Sequence, residues 1–447
     1  MLAGRGGPSS ERPTIGQHKG VELGSPMEAL IQCEASFDQA AAKRGFLDYW
    51  AKVAPKQNEL LLAYICEAFQ ALGSNIGRIP QGQQIHLISH LPRHAKVMNR
   101  LIEILEQHDL LIREGSKLIR GSGETPSEVS KALHEQFVTT YPLYAGEARL
   151  MALTGPKLAG CLTGKIDPLT LMFRGAAAQK VMEEYYVASP MLSTLTEQLV
   201  TFIRTVATSS RSTSSETPLR ILEVGAGFGG TTTRLAEVLE SAGIPVTYKF
   251  TDISPSLIKA AKTKFAKYPW MEYQILNLES DMPASLKDTY DIVIGTNCVH
   301  ATTNKTKTVS RLKEIITAQG FLVLSEVTQL VDWYDIVFGL LEGWWLANDG
   351  STYPLQPPES WVRSFEKAGF SRVSYSQGPS LESNTQRLLV ASRSEKVTTP
   401  LRKAAKLPDV QTVAYKEVHG TSIEADIYLP ARVSATAMPV GTCSSLS

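Results

Sequence analysis

The chain has 447 residues, 43% hydrophobic and 20% charged, with a formal net charge of +1. That is length for two or three globular domains, and no global basic field draws the chain toward nucleic acid or an anionic membrane. Its five cysteines (Cys33, Cys66, Cys161, Cys298 and Cys443) form no C-x-x-C pair, which argues against a disulfide framework or zinc site and suits a reducing compartment. No apolar run reaches the length of a membrane span, and the opening MLAGRGGPSSERPTIG is too polar for a secretory leader. The expectation is a soluble, cytoplasmic protein without nucleic-acid or membrane partners.

Residues 1–24 are rich in Gly, Pro and Ser and read as a flexible linker. From Pro26 to about Leu118 apolar residues recur at three- and four-residue intervals, as in FLDYWAKVAPKQNELLLAYICEAFQALG and VMNRLIEILEQHDLLI, so helices are expected. The second of these stretches runs into two short strand-like pieces around a turn. This predicts a helical, winged-helix-like N-terminal domain over 25–128. Such units often bind DNA, but the net charge argues against it here. His86, His90 and His94 recur every four residues; Pro92 breaks any helix through them and no acidic or cysteine ligand is near, so they read as surface or packing residues and no metal is expected. A second helical stretch, 129–207, precedes a glycine loop and reads as a lid over it. Within it, EEYYVASP offers Tyr185 and Tyr186, either as phenol donors to a developing oxyanion or as aromatics of the core. The Ser/Thr-rich stretch 208–218 reads as a linker.

From Leu219 the rhythm changes. RILEVGAG, VTYKFTDIS, MEYQILNLE, YDIVIGTNCVH, FLVLSEVT, SRVSYSQ and RLLVASR are β-rich runs. Helical runs alternate with them: TTRLAEVLESAG, PSLIKAAKTKFAKY, TKTVSRLKEIITAQG, WYDIVFGLLEGWWL and SWVRSFEKAGF. The alternation predicts a doubly wound α/β, Rossmann-like sheet over 219–395. Beyond it, 396–447 reads as a linker and two strands, VQTVAYKEVHGTSIEADIYLP, across an HG turn. These strands are similar to the opening of an α/β-hydrolase, yet no G-x-S-x-G elbow occurs in the chain; a truncated hydrolase-like segment and an ordinary C-terminal hairpin both remain open.

The first strand runs into ILEVGAGFGGT. Gly225, Gly227 and Gly230 satisfy G-x-G-x-x-G, and Gly225, Gly227 and Gly229 satisfy G-x-G-x-G. The glycines alone do not separate a nicotinamide dinucleotide from S-adenosylmethionine. The surrounding polarity does. Glu223, at the end of the first strand, is badly placed for a pyrophosphate and well placed for a ligand carrying a sulfonium and an ammonium; its bland alternative is a surface pair with Arg220 or Arg234. Asp252 ends the second strand, where an acid can accept both ribose hydroxyls. Asn277 or Glu279, after the third, could read an adenine edge. The sum favours S-adenosylmethionine.

Strand four ends in Asn297, Cys298, Val299 and His300, and strand five ends at Glu326. Ligands of open α/β sheets sit at the carboxyl ends of the strands. If these two strands are neighbours, a carboxylate at one end can fix the imidazole tautomer at the other and raise its basicity. A base suits an acceptor that must lose a proton, such as a carbon between two carbonyls. The alternative is a capping histidine and a surface glutamate. Asn297, at the same strand end, is a further candidate cofactor contact, and Cys298 reads as packing.

LEVGAGFGGTTTRL, YKFTDISPSLIKAAKTKF, DIVIGTNCVHAT and FLVLSEVT together resemble the C-methyltransferase domains of fungal non-reducing polyketide synthases, which are class I S-adenosylmethionine-dependent methyltransferases. The resemblance covers about 26–395. It implies α-carbon methylation of a β-ketoacyl chain held on an acyl carrier protein, among other synthase domains. It implies a catalytic dyad at His300 and Glu326 and, less directly, a lid tyrosine at Tyr186. Asn277 stands where this family more often has Asp; an amide can also accept. Competing readings are an O- or N-methyltransferase on a free small molecule, an inactive methyltransferase-like spacer of a megasynthase, and a nicotinamide oxidoreductase.

Overall fold

The structure is a computed structural model that describes residues 23–86, 88–209, 217–393, 410–418 and 421–428. The linkers expected at 1–24 and 208–218, and most of 396–447, therefore lie largely outside the described residues. Seven strands form the central sheet: β1 (Leu219–Val224), β2 (Val246–Asp252), β3 (Met271–Ile275), β4 (Tyr290–Thr296), β5 (Ile316–Val327), β6 (Arg372–Tyr375) and β7 (Gln386–Ser392). Their order is β3-β2-β1-β4-β5-β7-β6. The first five are parallel, and β7 runs antiparallel to both neighbours. The expected Rossmann-like α/β sheet is present.

The strands are apolar at consecutive positions because both faces are covered, as a parallel sheet requires. Ile221, Ile292, Ile294, Phe321 and Val323 pack on one face, against the helices Pro26–Arg44, Pro190–Thr208 and Gly230–Ser241. Their immediate neighbours Leu222, Val293, Leu322 and Leu324 pack on the other, against Lys305–Ile315 and Pro358–Lys367. The first helix of the chain thus belongs to the cover of the sheet. Gly24 is tied to the same layer by its N–H, which donates to the Val206 carbonyl at 3.0 Å.

A second core gathers the helices Ala54–Ala71, Ala95–Gln107, Ser130–Thr140, Ala145–Thr154 and Ala176–Ala188. The winged-helix-like part is the helix Ala95–Gln107 followed by the strands Leu111–Glu114 and Lys117–Arg120, with Gln84–Ile85 on the edge of the hairpin. Pro92–His94 makes a single 3-10 turn before that helix, and His94 is buried. Among the described residues no cluster of three or more His, Cys, Asp or Glu is placed to hold a metal, and no helix is long and apolar enough to cross a membrane.

Two expected elements differ. WYDIVFGLLEGWWL, read as helical, folds as three 3-10 turns, Asp332–Tyr334, Phe338–Leu340 and Glu342–Trp345. The run has no polar face, so nothing selects helical amphipathicity. Gly339 also lies against another helix: a Cβ there would sit 3.2 Å from Val97 Cγ2. The helix before β5 stops at Ile315 rather than Gly320, and Ile316 already pairs with Tyr290. The β-branched run Ile315, Ile316, Thr317 favours the strand. In the C-terminal unit, Val410–Val418 and Thr421–Tyr428 pair antiparallel with an irregularity between Ala414 and Lys416; the turn residues between them lie outside the described residues.

Candidate active site

The glycine loop leaves β1 at Val224. Gly225, Gly227 and Gly229 have φ of 56°, 55° and 72°, so the backbone uses the G-x-G-x-G spacing, while Gly230 is the first helical residue. Gly225 is required twice over. Its φ lies in the left-handed region, and a Cβ would sit 2.6 Å from Cys298 Cβ, on the neighbouring strand end. Asp252 pins the loop: its Oδ2 accepts from the Gly227 N–H at 3.0 Å and its Oδ1 from the Ser254 N–H at 2.8 Å.

Glu223 is neither on the surface nor paired with Arg220 or Arg234. It is 1% exposed, and its Oε2 accepts from the Thr232 hydroxyl at 2.5 Å and the Tyr248 hydroxyl at 2.6 Å. Burial pushes its carboxyl up to about 7, against the pull of these two donors. Such an acid takes on charge readily when a cation arrives.

β4 and β5 are hydrogen-bonded neighbours, and their ends meet as the sequence predicts. His300 Nδ1 lies 2.7 Å from Glu326 Oε2. Glu326 is fully buried, and its Oε1 also accepts from the backbone N–H groups of Val299 at 2.9 Å and Cys298 at 3.2 Å. With Glu326 as a carboxylate, the shared proton sits on His300 Nδ1 and leaves Nε2 as an acceptor. Asn297 makes the turn possible. It adopts φ 47°, which Asn tolerates better than most residues. Its N–H donates to the Ser325 carbonyl at 2.9 Å and its Oδ1 accepts from the Val327 N–H at 3.1 Å, so both strand ends are strapped together. Cys298 points its thiol at the Val224 carbonyl, 3.4 Å away, and burial holds it well above the usual thiol range, as a packing residue.

One cavity of about 470 Å³ has Glu223, Gly225, Gly227, Asn297, His300 and Tyr186 in its wall. Glu326 stands behind His300. Gly229, Asp252 and Asn277 are outside the cavity wall. Asn277 is exposed, and its Oδ1 accepts from the Glu279 N–H at 2.9 Å. Glu279 is taken by the Thr303 N–H and hydroxyl at 2.6 and 2.7 Å. The two candidate tyrosines divide: Tyr185 is buried with its hydroxyl 2.5 Å from that of Tyr334, whereas Tyr186 is 37% exposed as a residue and lines the cavity. The enclosing walls push the Tyr186 phenol up to about 12, so it is a donor at neutral pH.

Sequence reasoning missed the apolar walls. Phe173, Met182 and Leu192 come from the helical segment before the glycine loop, Phe228 from the glycine loop, Phe338 and Trp344 from the 3-10 turns, and Leu341 from between two of them. The Trp344 ring is edge-on to His300, centroids 5.5 Å apart. The density of aromatics in WYDIVFGLLEGWW was the available signal.

The chain matches the family described as a methyltransferase helix-turn-helix domain over residues 31–118 and that described as a methyltransferase domain over 222–322. It is 46% identical, over 94% of its own length, to the non-reducing polyketide synthase atr1 of Stereocaulon alpinum, of which it covers 17%. It superposes on the structure of the citrinin polyketide synthase CMeT domain with a TM-score of 0.82 and 36% identity, covering 85% of this chain and 100% of that one. The chain belongs to the C-methyltransferase domains of polyketide synthases. A C-methyltransferase domain of this kind also matches the CurJ carbon methyltransferase, with a TM-score of 0.73 and 26% identity over 83% of this chain and 99% of that one. The helix-turn-helix match coincides with the winged unit.

Proposed function

We propose that this C-methyltransferase domain moves a methyl group from S-adenosylmethionine to the α-carbon of a β-ketoacyl thioester, with His300 as the base. The acceptor would be carried by an acyl carrier protein and the domain would work beside other polyketide synthase domains. The observation that carries the reading is the 2.7 Å His300–Glu326 contact at the wall of the cavity that also contains the glycine loop.

The residues present fit the cofactor. A buried carboxyl group, Glu223, lines the same cavity as the glycine loop; an acid there suits a cation without a phosphate. Gly227 and Asn297 would contact it, and Asp252, whose oxygens each keep a second lone pair, would accept ribose hydroxyls beyond the cavity wall. Asn277 would sit at the adenine edge. When bound, S-adenosylmethionine supplies a methyl group on a sulfonium, and the electrons of the breaking S–C bond stay on sulfur.

The chain's own residues do the rest. His300 Nε2 takes the α-proton, and the carbon keeps the electron pair as an enolate. Glu326 holds the Nδ1–H and stabilises the imidazolium that forms. Tyr186 donates to the enolate oxygen. The aromatic walls exclude water, which strengthens each of these contacts. The protein is to be incubated with S-adenosylmethionine and a β-ketoacyl thioester of pantetheine, and the product read by mass spectrometry. One methyl on the α-carbon is expected. Methylation of a free phenol or amine, with the thioester untouched, would replace this reading with that of an O- or N-methyltransferase.

A further inference from the structure

Helix Ala95–Gln107, in the helix-turn-helix unit, carries one arginine that points away from solvent. The Arg100 side chain is 10% exposed. Its Nε donates to Asp335 Oδ2 at 3.1 Å, Nη2 to Asp332 Oδ1 at 3.2 Å and Nη1 to Glu103 Oε2 at 2.5 Å. Its guanidinium lies over the Tyr353 ring, 5.2 Å from the centroid. The Tyr353 hydroxyl in turn donates to Asp335 Oδ1 at 2.9 Å. Arg100 and Tyr353 therefore converge on Asp335, which is fully buried.

Asp332 and Asp335 flank Trp333 and Tyr334 and immediately precede the turn Phe338–Leu340. Tyr353 packs edge-on against Trp344 at 6.1 Å. Trp344 stacks on Phe338 at 5.6 Å and stands edge-on to His300 at 5.5 Å. The neighbouring residue of the helix, Lys96, donates to the Trp345 carbonyl at 3.3 Å, and Val97 meets Gly339. One face of the helix thus meets the segment at Asp332 and Asp335, at Gly339 and at Trp345. That segment has only short 3-10 turns, with no α-helix or strand of its own to hold its shape. A stability role explains the ion cluster poorly, because desolvation of buried charges offsets most of their attraction. Directional, multidentate hydrogen bonds fix a geometry instead.

We propose that Arg100 is a positioning residue for methyl transfer: through Asp335 and Tyr353 it holds the Phe338–Trp344 wall against the His300 imidazole. In this protein the helix-turn-helix unit thereby shapes the acceptor side of the active site. The inference rests on the reading of His300 as the base.

Two measurements test it on the full chain with Arg100→Met, Arg100→Lys and Tyr353→Phe, and with Arg113→Ala, on the outer hairpin of the same unit, as control. The first is hydrogen exchange, which needs no substrate. In Arg100→Met, segment 332–346 loses protection while the glycine loop keeps its own. The second is turnover. Arg100→Met lowers kcat ~100-fold, as expected for misplaced reacting groups. The dissociation constant for S-adenosylhomocysteine is unchanged, Arg100→Lys restores part of kcat, and Arg113→Ala behaves as wild type. Should Arg100→Met fail to fold, Tyr353→Phe, which keeps the ring and removes only the bond to Asp335, is expected to show the same pattern at smaller size. Unchanged protection and unchanged kcat in a folded Arg100→Met, or in Tyr353→Phe if the former does not fold, would overturn the proposal. A wild-type protein inactive on the thioester but protected at 332–346 by Arg100 would instead count against the acceptor.

Discussion

Glu326 accepts three hydrogen bonds, one from the imidazole and two from the backbone turn that carries it. It therefore places His300 as well as orienting it. Glu326→Gln keeps the shape and loses the charge that stabilises the imidazolium. It is expected to lower kcat roughly 100-fold or more, with cofactor affinity unchanged by calorimetry; a kcat within threefold of wild type would remove Glu326 from the mechanism. Glu223 gives a pH prediction. Burial raises its carboxyl from 4.5 to about 7, so it is neutral below about 7 and anionic above. In the free protein this favours the folded state at low pH, and that contribution is lost as pH rises from 4.5 through about 7. For a cationic cofactor the sign reverses: affinity for S-adenosylmethionine rises several-fold between pH 6 and 8. Glu223→Gln flattens the profile, and equal slopes for both proteins would count against the carboxylate as the cation's partner. The pair His300 and Glu326 was legible because strand ends of an α/β sheet meet at one edge. The burial of Glu223 was not, since its partners Thr232 and Tyr248 come from a helix and a second strand.

At the scale of elements, the glycine loop is the strained piece. Gly225→Ala puts a side chain at φ 56° and 2.6 Å from Cys298 Cβ; it is expected to cost about 2 kcal/mol or more and to weaken cofactor binding. Gly243→Ala has a similar φ, 62°, with nothing within 4 Å; its cost is about 1–2 kcal/mol with binding intact. Thermal melts and calorimetry on the two variants separate backbone strain from the close approach, and identical losses of affinity would contradict the role of the loop. The strands were legible because period-two burial on two faces makes continuous apolar runs of four to seven residues. The 3-10 segment was not, because a run that is apolar on every side carries no periodicity. Its shape is set by tertiary contacts: Val97, Arg100 and Tyr353 lie far from it or at its end.

For the molecule as a whole, the sheet is completed from the N-terminus. Ala29, Leu30 and Cys33 of the helix Pro26–Arg44 share one core with Phe202, Ile221 and Phe321. The sequence placed this helix in a separate N-terminal domain, since local periodicity shows that a face is apolar and not what covers it. Deleting residues 1–44 removes that cover. Leu30 alone represents roughly 1.5–3 kcal/mol of burial, so the truncated chain is expected to melt at lower temperature or to aggregate, whereas an unchanged melting profile would show that the sheet does not need the helix. The whole chain must therefore be used for chemistry. The most direct measurement follows deuterium leaving the α-carbon of an α-dideuterated β-ketoacyl thioester in water, with S-adenosylhomocysteine bound so that no methyl is transferred. Wild type is expected to wash the label out well above the uncatalysed rate, and His300→Ala, with normal affinity for S-adenosylhomocysteine, to fall to that rate. Washout at the wild-type rate in His300→Ala would mean that another group takes the proton.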